Sequence, residues 1–167
     1  MFSFLKKKKD NEAVDNSFKL IAIADGKTIP LSEVPDPVFA EKMTGDGLAI
    51  EPTGDTIVAP ADGTLSLVFN TKHAFALTLD NGIELLVHVG LETVTLKGEG
   101  FEQLVEQGSQ VKAGTPILKI DRDFIKSKGL PLITPVLITN PDVVKSLTPK
   151  ENVETKAGET TILEYTL

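Results

Sequence analysis

The chain has 167 residues, 41% of them apolar, with 13 glycines, 10 prolines and no cysteine. That suits one turn-rich globular domain with a sizeable core, and it excludes disulfides, thiolate nucleophiles and cysteine-ligated metals. Net charge is −7, and without Lys6, Lys7, Lys8 and Lys9 the balance is 13 basic against 24 acidic residues, so no basic face is available for nucleic acid.

Residues 1–17 read as a flexible basic tail. Phe2, Phe4 and Leu5 beside the four lysines allow at most weak contact with an anionic membrane surface, a solvated tail being the simpler reading. The tail is no secretory signal, because its lysines follow a short apolar part instead of preceding it. No apolar run reaches the roughly 20 residues that span a bilayer, and a cytoplasmic location is expected.

A single domain is expected over 18–167. From Phe18 onward short β-rich runs alternate with turn signals: A-D-G-K (24–27), G-D-G (45–47), P-T-G-D (52–55), P-A-D-G (60–63), D-N-G (80–82), K-G-E-G (97–100) and K-A-G-T-P (112–116). That rhythm predicts an all-β, antiparallel sandwich or barrel with a few short helical turns. The helical turns are expected at 35–43, 100–108, 121–129 and 140–147, each with an acidic residue near its start. Two echoes, A-D-G-K-T-I-P-L (24–31) with A-D-G-T-L-S-L-V (61–68) and V-K-A-G-T-P-I-L (111–118) with T-K-A-G-E-T-T-I-L (155–163), suggest internal duplication, although any strand, glycine turn and strand would read alike.

The two histidines, His73 and His88, fall in one expected hairpin, T-K-H-A-F-A-L-T-L-D-N-G-I-E-L-L-V-H-V-G. A two-residue loop at Asn81-Gly82 pairs residues whose numbers sum to 163, and a loop at Asp80-Asn81 or one of four residues gives 161. Either odd sum brings both rings to one face of the sheet, about 5 to 7 Å apart. A three-residue loop without a bulge would separate them. A lone strand histidine is usually a satisfied structural residue, whereas two side by side repel when charged and are costly to bury, so such a pair persists more readily if it is used.

Zinc catalysis wants three protein ligands, and here only a carboxylate such as Glu84 is on hand as the third. G-x-S-x-G and G-x-x-x-x-G-K-[ST] are both missing, so neither a serine hydrolase nor an ATP cradle is indicated. A nucleophilic histidine that accepts a phosphoryl group from another phosphoprotein is the reading left, with its neighbour and Thr71 as hydrogen-bond groups.

The segment G-I-E-L-L-V-H-V-G-L-E-T-V (82–94) resembles the signature of the glucose-type enzyme IIA family of the bacterial phosphoenolpyruvate-dependent sugar phosphotransferase system. The similarity continues through P-D-P-V-F-A-E-K-M-T-G-D-G (35–47), V-A-P-A-D-G (58–63), F-N-T-K-H-A-F (69–75), L-K-G-E-G-F (96–101) and V-K-A-G-T-P (111–116). The resemblance implies a free-standing phosphohistidine relay with no required cofactor. His88 would take the group from the histidine-containing phosphocarrier protein and pass it to the IIB domain of a sugar permease. It also implies that His73 serves mainly onward transfer, that Thr71 positions it, and that Phe39, Phe69, Val38, Met43, Leu86 and Val89 form a docking rim with Asp36 and Glu92 as its acidic members. Gly90 is expected to leave room beside the ring for a phosphate or a partner's backbone.

Enteric members have phenylalanine in place of Leu86 and Val89 and aspartate in place of Glu92, so the rim here is less aromatic. In those relatives the unphosphorylated protein inhibits sugar permeases and glycerol kinase, in some complexes sharing zinc through both histidines, here His73 and His88. The alternative role is accordingly a regulator whose phosphorylation state signals sugar supply. Two other classes fit poorly: a biotinyl or lipoyl module lacks its lysine on a hairpin tip, and a zinc peptidase of similar fold lacks its second histidine where Gly90 stands.

Overall fold

The computed structural model describes residues 16–167, so the basic tail and its expected membrane contact lie outside the described residues apart from Asn16 and Ser17, and Ser17 already begins the first strand. The fold is antiparallel and almost wholly β. Among the described residues one eight-stranded sheet runs in the order β9-β5-β6-β7-β11-β3-β2-β13. Its members are β2 (Gly26–Pro30), β3 (Asp46–Pro52), β5 (Gly63–Val68), β6 (Ala74–Thr78), β7 (Glu84–His88), β9 (Gln110–Val111), β11 (Thr134–Ile138) and β13 (Glu154–Thr155). Two three-stranded sheets close the core. One joins β4 (Thr56–Val58), β10 (Pro116–Ile120) and β8 (Phe101–Gln103), and the other joins β12 (Ser146–Pro149), β14 (Thr161–Thr166) and β1 (Ser17–Ile21). No helix among the described residues is long and apolar enough to cross a membrane.

Alternation along the central strands separates two apolar layers. Leu48, Ile50, Phe75, Leu77, Leu85, Val87, Val136 and Ile138 point into the main core. On the other face Ile29, Ala49 and Leu137 are covered by Leu31, Val34, Phe39 and Leu91, with Leu86 packed at the edge. The cover comes from the segment that carries α1 (Pro37–Ala40), where Asp36 accepts the Val38 N–H at 3.0 Å and Pro37 occupies the first turn. Both are favourable at a helix start. This second layer carries His88.

The echoes fold as equivalents. The Ala157 N–H donates to Asp25 and the Ala113 N–H to Asp62, while Gly158 N–H donates to Ala22 and Gly114 N–H to Ala59. The two turns meet backbone to backbone, since a Cβ on Gly158 would lie 3.3 Å from Cα of Gly114.

Three local expectations need correction. Residues 100–108 form no helix: Phe101 to Gln103 pair with β10, so tertiary pairing overrides an apolar spacing that suits either state. Of 140–147 only Pro141–Val143 turns, and the chain then joins β14 as β12. The β6–β7 hairpin has the even register Ala74 with His88 and Phe75 with Val87, set by the three-residue loop Asp80-Asn81-Gly82 with Gly82 at φ +91°. The other two helical turns are present, α1 and α2 (Arg122–Ser127), the latter capped by Asp121.

Candidate functional site

His88 ends β7 on the second apolar layer and is half-buried. Its Nδ1 lies 2.8 Å from the Gly90 carbonyl oxygen, which only accepts, so Nδ1 carries the proton and Nε2 is the free ring nitrogen of the neutral form. The Phe39 ring packs against the imidazole with centroids 5.1 Å apart. Burial lowers the pKa of His88, opposed by the Gly90 hydrogen bond and the Asp36 charge.

Even register would put the side chains of residues 73 and 88 on opposite faces if the pleat continued. It does not continue. His73 precedes β6 in the four-residue connection Asn70-Thr71-Lys72-His73, closed by Phe69 N–H to Ala74 O and turned by Lys72 at φ +58°. From this loop the His73 ring stands edge-on to His88, with centroids 4.8 Å apart and planes at 81°. The pairing expected from the sequence therefore forms, through loop geometry instead of strand parity.

His73 is 3% exposed. Its Nδ1 lies 2.6 Å from Thr71 Oγ1, and Phe69 meets the ring edge-on at 5.3 Å. Burial and the neighbouring His88 lower its pKa to about 4. The site thus holds two neutral imidazoles near pH 7, each tied through Nδ1.

The expected rim divides. Val38 and Met43 are exposed, Met43 at 71%, and Phe69 and Leu86 are half-buried. Val89 is fully buried in the main core and presents no side chain to a partner, because it alternates with His88 across the sheet. Phe39 is also buried, and its observed contact is with the His88 ring rather than with the surface. Asp36 stands near enough to His88 to raise its pKa, and Glu92 is exposed in a left-handed turn at φ +62°.

Two further readings change. Glu84 lies four residues up β7, roughly 13 Å from His88, where it accepts from Thr78; no third ligand joins the pair among the described residues. At Gly90 the room is already taken, since a Cβ would meet Thr93 Cγ2 at 2.6 Å and Pro131 O at 2.9 Å, and the residue adopts φ +77°. Glycine here serves close packing and a left-handed turn that brings its carbonyl to His88. One residue on this face escaped the sequence reading: Leu67, 43% exposed. Its only sequence signal was an apolar residue two places from Leu65, which alternation assigns to the core.

Comparison with known proteins gives the family and the fold. A family model described as phosphoenolpyruvate-dependent sugar phosphotransferase system, EIIA 1, matches residues 18–144. The mannose-specific EIIBCA component of Corynebacterium glutamicum is 60% identical over 121 residues, which cover 72% of this chain and 18% of that protein. The glucose-specific EIIA component of Staphylococcus epidermidis is 42% identical over 154 residues, 92% of this chain and 93% of its own length. Among solved structures, glucose permease IIA from Mycoplasma capricolum superposes with a TM-score of 0.83 at 38% identity, covering 89% of this chain and 96% of that one.

Proposed function

The chain belongs to the EIIA 1 family of the phosphoenolpyruvate-dependent sugar phosphotransferase system, and from that premise we propose that His88 is its phosphoryl-accepting residue. The observation that carries the proposal is the hydrogen bond from His88 Nδ1 to Gly90 O, which leaves Nε2 as a neutral, oriented nucleophile. The donor is the histidine-containing phosphocarrier protein, the acceptor is the IIB domain of a sugar permease of the glucose type, and the relay works in the cytoplasm.

In the accepting step the Nε2 lone pair forms a bond to phosphorus as the phosphorus–nitrogen bond of the donor breaks and its electron pair returns to the donor's imidazole. Positive character that develops on the His88 ring strengthens the N–H bond to Gly90, so the carbonyl contributes more in the transition state than before it. His73 lies against the His88 ring, beside the phosphoryl group once His88 carries it, and acts mainly in the onward transfer. With the Thr71 hydroxyl donating to Nδ1, the His73 proton resides on Nε2 and can be donated to a phosphoryl oxygen. Burial keeps this ring neutral and the Phe39 and Phe69 rings limit water, which would otherwise hydrolyse the phosphoramidate.

The relay routes no step through a metal. Both histidines have Nδ1 engaged, so a zinc ion shared with a partner would take the two Nε2 atoms and draw its remaining ligands from that partner. Phosphoenolpyruvate with enzyme I and the phosphocarrier protein tests the reading: the native chain takes up one acid-labile phosphate, and a His88→Ala variant that still took it up would refute the assignment.

A further inference from the structure

Strand β5 does not alternate evenly. Leu65 pairs with Leu77 and Leu67 with Ala76, so Ser66 is an extra residue, a β-bulge. Without it Leu65 and Leu67, two places apart, would both face the core. With it Leu65 is fully buried while Leu67 turns to the face of Ala76 and Leu86 and is 43% exposed. The irregularity is pinned from both sides of the strand. Val68 N–H donates to Gln107 Oε1 at 2.9 Å and Gly108 N–H to Leu65 O at 2.7 Å, and Ser66 Oγ reaches Ala76 O.

Leu67, Ala76 and Leu86 form one row across β5, β6 and β7, and His88 follows Leu86 on the same face. Strand spacing puts Leu67 roughly 12 Å from His88. A standard protein interface covers about 800 Å² on each partner, a disc of roughly 16 Å radius, so a partner centred on His88 reaches Leu67. Two carboxylates border this face, Glu84 at its end and Asp36 beside His88.

We infer that Leu67, held outward by the bulge and Gln107, is a docking contact for the phosphocarrier protein. This rests on the relay reading. It adds a specificity-determining residue beyond the rim around the histidines, and it makes Gln107 a positioning residue for that contact.

The test is the steady-state phosphorylation of Leu67→Glu, Leu67→Met and Gln107→Ala by the phosphocarrier protein, with His88→Ala as control. Leu67→Glu is expected to raise KM for the carrier at least tenfold with kcat within about twofold of the native value, as for a buried interface residue given a charge. Leu67→Met, equal in bulk, keeps KM within about twofold, and Gln107→Ala raises it several-fold. A KM within twofold for Leu67→Glu, with His88→Ala inert, would overturn the docking inference and leave the relay standing. Phosphorylation of His88→Ala would overturn both.

Discussion

His73 stands edge-on to His88 with ring centroids 4.8 Å apart, and both rings are anchored at Nδ1, one by Thr71 and the other by Gly90. Two imidazoles so close in a largely dry site resist protonation, and the consequence is a dependence of stability on pH. An imidazole in the unfolded chain titrates near 6.5, whereas His73 in the fold is held at about 4 by burial and by His88. Between those values the unfolded chain binds more protons. The contribution is therefore complete above pH 6.5, declines as pH falls through the window, and is lost by about pH 4.

For His73 the loss is about 3 kcal/mol, and His88, also lowered, adds to it in the same direction. Urea unfolding at pH 7.5, 5.5 and 4.5 measures it. His73→Gln is expected to show a shallower decline than the native chain, and equal slopes would contradict the burial of a neutral His73.

Acceptance and donation should separate at the second histidine. His73→Ala removes a donor to the phosphoryl oxygens but leaves Nε2 of His88 and its Gly90 anchor in place, so labelling by the phosphocarrier protein survives within a few-fold. Transfer from His88 to a IIB domain is expected to fall by at least 100-fold, about 2.7 kcal/mol of transition-state stabilisation. Unimpaired sugar phosphorylation by this variant would show that His73 plays no part in transfer.

Thr71→Val keeps the shape and removes the hydroxyl that meets His73 Nδ1. The imidazole then loses its fixed tautomer and orientation. The onward rate is expected to fall about tenfold, with a stability cost of about 1 kcal/mol. Thr71→Ser, which restores the hydroxyl, should recover most of the rate, and failure of that rescue would argue against a positioning role.

Gly90→Ala should act on the fold before it acts on the chemistry. The new Cβ meets Thr93 and the Pro131 carbonyl in a left-handed backbone conformation, so a loss of about 2–3 kcal/mol is expected. Calorimetry reads it as a lowered Tm. A variant with native Tm would mean that the loop relaxes freely and that Gly90 is not fixed by packing.

Much of this was legible in the sequence because turn residues and alternation are local. The glycine and aspartate turns marked an antiparallel β fold, P-D-P-V-F foretold a capped helical turn, and the signature around His88 carried the family. What escaped was decided by register and by single inserted residues. Asn81-Gly82 suggests a two-residue turn, yet Asp80 joins the loop and makes the register even. The extra Ser66 reverses the direction of Leu67, and nothing in the string S-L-V-F marks it, because the hydrogen bond that stabilises it comes from Gln107, 39 residues away from Val68. Val89 and Phe39 look like rim residues in the sequence but are buried, Val89 by strand alternation and Phe39 by the covering segment over the second layer.

The central claim is that the nucleophile is Nε2 of His88, and the most direct measurement is ¹H–¹⁵N long-range NMR of the protein phosphorylated from phosphoenolpyruvate. The geometry predicts one phosphorylated imidazole, that of His88, substituted at Nε2 with its proton retained on Nδ1 against the Gly90 carbonyl. A phosphate on His73, or on Nδ1 of either ring, would contradict it.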